Sequence, residues 1–164
     1  MSTRDAQLQI LDVTRDTWTG MTKFFEDMTA ERLNWRQLLE QFEKTAGDEG
    51  FTAPYGVAVW WQMEDTEEWG FGGVTLRSKC HLWYITSTKD AGGVTKGVAA
   101  VRQEIQDAGE QLVAALKAIS GPDTTILSAH VDAGPGNVAN AYFLDKGIPL
   151  AAVAVEAEYL ALMG

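Results

Sequence analysis

The strongest pattern in the chain is helical. Val94, Val98, Val101, Ile105, Ala108, Leu112, Leu116 and Ile119 recur at i, i+3 or i+4, while Arg102, Asp107, Glu110 and Lys117 fall off that stripe. The spacing predicts a long amphipathic helix over 94–119, laid across a sheet face. Ser120-Gly121-Pro122 ends it with a glycine followed by a proline. Nearer the start, Trp18, Met21, Phe25 and Met28 also keep helical spacing, with Asp16 or Thr17 as the cap. Trp35, Leu38, Leu39 and Phe42 share one face of a second stretch over 29–46, opened by Thr29 and stopped at Gly47. Residues 4–15, with Leu8, Ile10, Leu11 and Val13, fit a helix and a strand equally poorly.

After a connector over 47–54 the period changes from 3.6 to 2. Residues 55–64 read as a strand, with Val57, Val59, Trp61 and Met63 on one face and Ala58 and Trp60 on the other. Residues 65–73 form a polar, glycine-rich loop. Residues 74–88 make a second, long strand, with Cys80, Leu82 and Tyr84 on one face and His81, Trp83 and Ile85 on the other; together the two strands predict a long hairpin. Three more strands follow, over 124–133, 138–144 and 150–162, the last two joined by a turn at 145–149. Helices, hairpin, helix, strands: this order predicts an α+β fold with a mainly antiparallel sheet, one long helix packed on a face, and N-terminal helices. A chain of 164 residues is expected to form a single domain over 1–164, with a helical part over 1–50 and the sheet-plus-helix core over 51–164.

Charge adds a constraint. The net charge is -10, from 13 basic and 23 acidic residues. The acids are spread along the chain and form no tail. Such a chain repels polyanions, and it has no basic cluster to neutralise phosphates, so specific nucleic-acid binding is not expected. The single cysteine, Cys80, closes no intrachain disulfide. The first residues lack an apolar signal-peptide core, and the longest apolar run, Leu150–Val155, is far too short to span a bilayer. A soluble protein made in a cytoplasm, with no membrane partner, is the expectation.

Candidate chemistry is thin. His130 and Asp132 make a His-x-Asp pair, but a metal site needs several converging ligands. Cys80 and His81 are neighbours on a strand and point to opposite faces, which argues against a catalytic pair. Gly134-Pro135-Gly136-Asn137 resembles a fragment of a phosphate loop, yet Pro135 removes an N–H and a strand is expected to follow, so the segment reads as a turn. The expectation is therefore no enzyme, no metal and no cofactor.

The aromatics say more. Trp60 and Trp61 point to opposite faces, as do Trp83 and Tyr84, so both faces of the hairpin are apolar. Helices cover both faces, or a neighbouring chain covers one of them; Trp and Tyr are enriched at interfaces. The loop carries the acids Glu64, Asp65, Glu67 and Glu68 and the aromatics Trp69 and Phe71 among glycines. Its aromatics either fold back onto their own sheet or reach a neighbouring subunit. Trp60, Trp83, Trp69, Phe71 and the four acids are the candidate interface residues.

The chain order resembles the tail-terminator proteins of long-tailed bacteriophages. The resemblance is carried by a helical N-terminal part, the strand opened by Ala53-Pro54-Tyr-Gly-Val-Ala-Val-Trp, the acidic loop from Glu64, the long strand from Gly73 to Ile85, a helix, and a closing strand over Ala151–Leu162. It is one of architecture and size, without a diagnostic motif, and the long N-terminal part and region 124–149 depart from it. The resemblance implies a structural virion protein at the head–tail junction: a ring, expected to be a hexamer, that caps the tail tube and joins it to the head. Its partners would be itself, the major tail tube protein and a head-completion or neck protein, with DNA passing through the lumen without specific binding. Another connector or completion protein, or a small-molecule or carbohydrate-binding α+β domain, is the alternative.

Overall fold

A computed structural model describes residues 3–21, 23–30, 40, 54–61, 66–69, 73–89, 92–119 and 124–163. Along them run α1 (Thr3–Thr17), β1 (Lys23–Ala30), β2 (Tyr55–Trp61), β3 (Thr66–Trp69), β4 (Gly73–Ser87), α2 (Val98–Lys117), β5 (Thr124–Val131), α3 (Ala133–Lys146) and β6 (Leu150–Met163). The sheet has the order β1-β2-β4-β6-β5, and β3 pairs with the far end of β4. Strands β2, β4, β6 and β5 are antiparallel to their neighbours, and β1 joins β2 in parallel. The fold is α+β, with the long helix packed on the sheet as the stripe predicts. No helix among the described residues is long and apolar enough to cross a membrane.

Alternation on β2 and β4 sends apolar side chains to both sides, and each side has its own core. Ala58, Trp60, Cys80, Leu82, Val155, Ala157 and Tyr159 pack with Ile10 and Leu11 of α1 and with Ala108, Leu112 and Leu116 of α2. On the other side Tyr55, Val57, Val59, Trp61, Trp83, Ile85, Ala152 and Ala154 pack with Ala139 and Phe143 of α3. Trp60 and Trp83 are thus core residues of one chain: Trp60 stands edge-on to Tyr159 at 6.3 Å, and Trp83 is fully enclosed. The second sheet face is covered by a helix that the sequence pattern does not announce, and neither tryptophan is exposed for a subunit contact.

Four elements differ from the sequence reading. Residues 4–15 are helical, because Ala6, Ile10 and Leu11 reach the core from one side of α1. Lys23–Ala30 is a strand, not the continuation of a helix. It pairs in parallel with β2, and tertiary pairing overrides the helical spacing of Phe25 and Met28. The segment 138–144 belongs to helix α3, not to a strand. Thr66–Trp69, expected in a loop, is a strand that pairs Glu67 with Thr75 and Trp69 with Gly73, so the hairpin extends beyond β2. Glu64, Asp65, Phe71 and nearly all of the expected helix over 29–46 lie outside the described residues.

Helix α3 follows from its buried positions. Pro135, Gly136, Ala139 and Phe143 face the sheet at helical spacing. Proline is tolerated in a first turn, where no intrahelical partner awaits its missing N–H. At the far end Gly147 takes φ 68°, and the Ile148 N–H reaches Phe143 O at 2.8 Å; this left-handed cap turns the chain into β6. Asn140 finishes the open edge of β6. Its Oδ1 accepts the Ala152 N–H at 2.8 Å and its Nδ2 donates to Ala152 O at 3.1 Å, as a paired strand would.

Candidate functional site: a buried histidine between two carboxylates

Sheet register brings together groups that are far apart in sequence. His81 on β4 lies beside Val59 of β2 and Glu156 of β6, and Glu156 lies beside His130 of β5. Asp132 follows β5 at the N-cap of α3. An N-cap Asp ordinarily accepts an N–H from the second or third residue of the helix. Here the third residue is Pro135, and the Asp132 side chain makes no cap hydrogen bond. Its backbone N–H is held by Ala154 O at 2.9 Å, which aims the carboxylate at His81.

The result is a cluster of His81, Asp132 and Glu156. His81 Nε2 is 3.0 Å from Asp132 Oδ2 and 3.2 Å from Glu156 Oε2, and the imidazole is fully buried while both carboxylates are half-buried. On the opposite edge of the ring, Trp61 donates its indole N–H to Nδ1. Burial holds the imidazole below its ordinary pKa, outweighing the hydrogen bond to Asp132 and the charge of Glu156. These partners fix the tautomer. An indole nitrogen only donates, so Nδ1 is the acceptor and the proton of the neutral ring sits on Nε2, shared between the carboxylates.

The three ligand-type atoms lie within reach of one cation. A metal would need the Nε2 lone pair, with the proton moved to Nδ1, where the Trp61 N–H already points. As arranged, the cluster is hydrogen-bonded, not ligating. It ties β2, β4, β6 and the start of α3 to one another. Cys80, next to His81, belongs to the other core, and burial pushes its thiol well above the ordinary range, which makes it a poor nucleophile.

Sequence reasoning paired Asp132 with His130; the structure pairs it with His81. The signals were present but unjoined: a histidine inside an apolar strand, and Glu156 interrupting the apolar run of β6. Only strand register connects them. Gly134-Pro135-Gly136-Asn137, read as a turn, forms the first turn of α3 after a strand.

A second feature lies where α2 passes the end of the sheet. Val101, Ala108, Leu112 and Leu116 are buried, but the same stripe continues to Val98, 74% exposed, and Val94, four residues before the helix begins and not part of it, is 64% exposed. Across from them Leu144 of α3 is 81% exposed. Between the helices runs a groove of about 520 Å³, lined by Val98, Val101, Ile105, Leu144, Ile148 and Leu150 and, as the charged residues among those described, Lys96 and Arg102. Arg102, Ile105 and Asn140 also line an adjoining hollow of about 280 Å³ that reaches Asp132. Lys96 pairs with Glu104 at 3.3 Å, and Glu104 also accepts from the Tyr84 hydroxyl at 2.9 Å. No family model matches the chain, and no curated protein matches it.

Proposed function

We propose that this chain is a structural virion protein, a ring-forming tail terminator that caps the phage tail tube and joins it to the head. Support comes from the order of elements: an N-terminal helix, a long hairpin, a long helix and a long closing strand, the order that the resemblance implies. The observation that carries the reading is the exposed apolar groove. Val94, Val98 and Leu144 gain nothing in a monomer, whereas a closed ring covers matching patches of this kind. The dispersed charge of -10 suits a lumen through which DNA slides without sticking.

The test is size. Light scattering on the purified chain, alone and with tail tube protein, is expected to give a ring in at least one condition, with six copies as the expected count. A monomer in both overturns the reading. The groove also favours a second reading, a small-molecule or carbohydrate-binding domain, because its volume falls within the range of ligand pockets. A monomer stabilised by such a ligand supports that alternative.

A further inference from the structure

Two carboxylates converge on one imidazole nitrogen. Asp132 Oδ2 and Glu156 Oε2 lie 3.0 and 3.2 Å from His81 Nε2. Among the described residues no Lys or Arg pairs with either carboxylate. The neutral ring offers a single Nε2 proton, so two acceptors compete for one donor. Their spacing is also that of ligands on a metal. A first-row divalent ion with bonds of about 2.0–2.1 Å holds neighbouring ligands about 2.9–3.4 Å apart. Nε2 already stands at such a distance from each carboxylate, and all three ligand atoms lie within 4.8 Å of one another. Rotation of the half-buried carboxylates draws the set together. The frame is built before any ion arrives. His81 and Glu156 are register partners in β4 and β6, and Asp132, free of capping duty at α3, is aimed by the bond from its N–H to Ala154 O. The hollow of about 280 Å³ that reaches Asp132 gives ions a way in.

We infer that His81, Asp132 and Glu156 bind one divalent transition-metal ion of the zinc type, which takes the place of the Nε2 proton and displaces the Trp61 hydrogen bond. The inference stands apart from the ring reading. An imidazole with two carboxylates selects such an ion over magnesium and calcium, which prefer all-oxygen sets. The proton balance closes within the ring: Nε2 gives up its proton to bind the ion, Nδ1 takes one up, and no net proton is released. The new Nδ1–H then faces the Trp61 N–H, two donors with no acceptor between them, so the indole turns aside. Trp61 ends β2 and is 6% exposed, at the rim of its core. Its N–H therefore competes with the ion for the tautomer of His81, and sets the affinity below that of the bare ligand set.

Titration of the purified chain with Zn²⁺ against a chromophoric chelator is expected to show one ion per chain. A hundredfold excess over Kd is expected to raise the melting temperature by about 5–10 °C, while the same concentration of Mg²⁺ leaves it unchanged. His81→Gln, Asp132→Asn and Glu156→Gln are each expected to weaken binding by about tenfold or more. The two carboxylate variants keep the shape of the side chain and carry the test if His81→Gln does not fold. Trp61→Phe removes the competing N–H and is expected to bind about three- to tenfold more tightly. Loosened packing alone would weaken the site, so that gain is specific to the displacement. His130→Gln, exposed and cross-strand from Glu156, is the control and is expected to bind as the wild type does. The inference is overturned if neither the wild type nor Trp61→Phe binds one ion per chain. Binding that survives both carboxylate variants, binding lost with His130, an equal melting shift with Mg²⁺, or a Trp61→Phe chain that binds no more tightly overturns it as well. None of these outcomes bears on the ring reading, which the size measurement decides.

Discussion

A neutral imidazole walled in by an indole N–H on one side and two carboxylates on the other has one proton arrangement that satisfies every group. That arrangement makes His81 a sensor of pH through stability. Its folded value lies below the ordinary histidine value, so the unfolded chain takes up a proton that the fold refuses. Stability from this group is full above about pH 6.5 and falls as the pH drops from there toward the depressed folded value. Asp132, Glu156 and Lys79 act on the ring electrostatically, the first two opposing the depression and Lys79 adding to it. Urea unfolding between pH 7 and 5.5 should show wild-type stability declining, with a smaller slope in His81→Gln; equal slopes would remove His81 as the source. Leu112 gives a simpler expectation. It is fully buried, and Leu112→Ala should cost about 2–5 kcal/mol. Ile105, half-buried beside the groove, should cost less when cut to Ala, and equal losses at the two positions would contradict the packing described.

At the scale of elements, two glycines in two helices should answer the same substitution with opposite signs. A Cβ on Gly109 of α2 would meet Val131 Cγ2 at 2.9 Å and Val153 Cγ2 at 3.1 Å, so the helix approaches the sheet only because that atom is missing. A Cβ on Gly136 of α3 meets nothing within 4 Å. Gly136→Ala should therefore stabilise by about 0.5–1 kcal/mol, the usual gain in a helix. Gly109→Ala should lose stability despite the same gain in propensity. Denaturant midpoints check both, and a stabilising Gly109→Ala would mean that α2 sits further from β5 and β6. The same contrast explains what was legible in the sequence. Helix α2 and strands β2 and β4 announce themselves because most of their buried positions are large and apolar, and β6 does so by its unbroken apolar run from Leu150 to Val155. Helix α3 hides because its buried face is Pro135, Gly136 and Ala139 before it reaches Phe143. Strand β1 hides because Phe25 and Met28 keep helical spacing while pairing decides otherwise. The histidine cluster hides for another reason: its three members come from three segments, and no local pattern encodes which strands lie side by side.

On the scale of the whole molecule, the stripe on α2 outruns the sheet that it covers. Seen in sequence, Val94 and Val98 look like more core; seen in space, they mark where one chain stops covering itself. The central place of β6 has a consequence of a different kind. This strand, late in sequence, is the only link between β4 and β5 among the described strands, and it faces partners about 70 residues upstream, as in the pairing of Trp83 with Ala154. Such long-range pairings must close large loops before they repay the entropy, which slows folding toward the millisecond-to-second range of sheet-dominated domains. Until residues 150–163 are present, β5 has no strand to join and both cores lack their middle. A fragment ending at residue 149 should therefore show helical signal without a cooperative melt, and a sharp melt from that fragment would contradict this. The molecule is withheld from its native state until its last strand arrives.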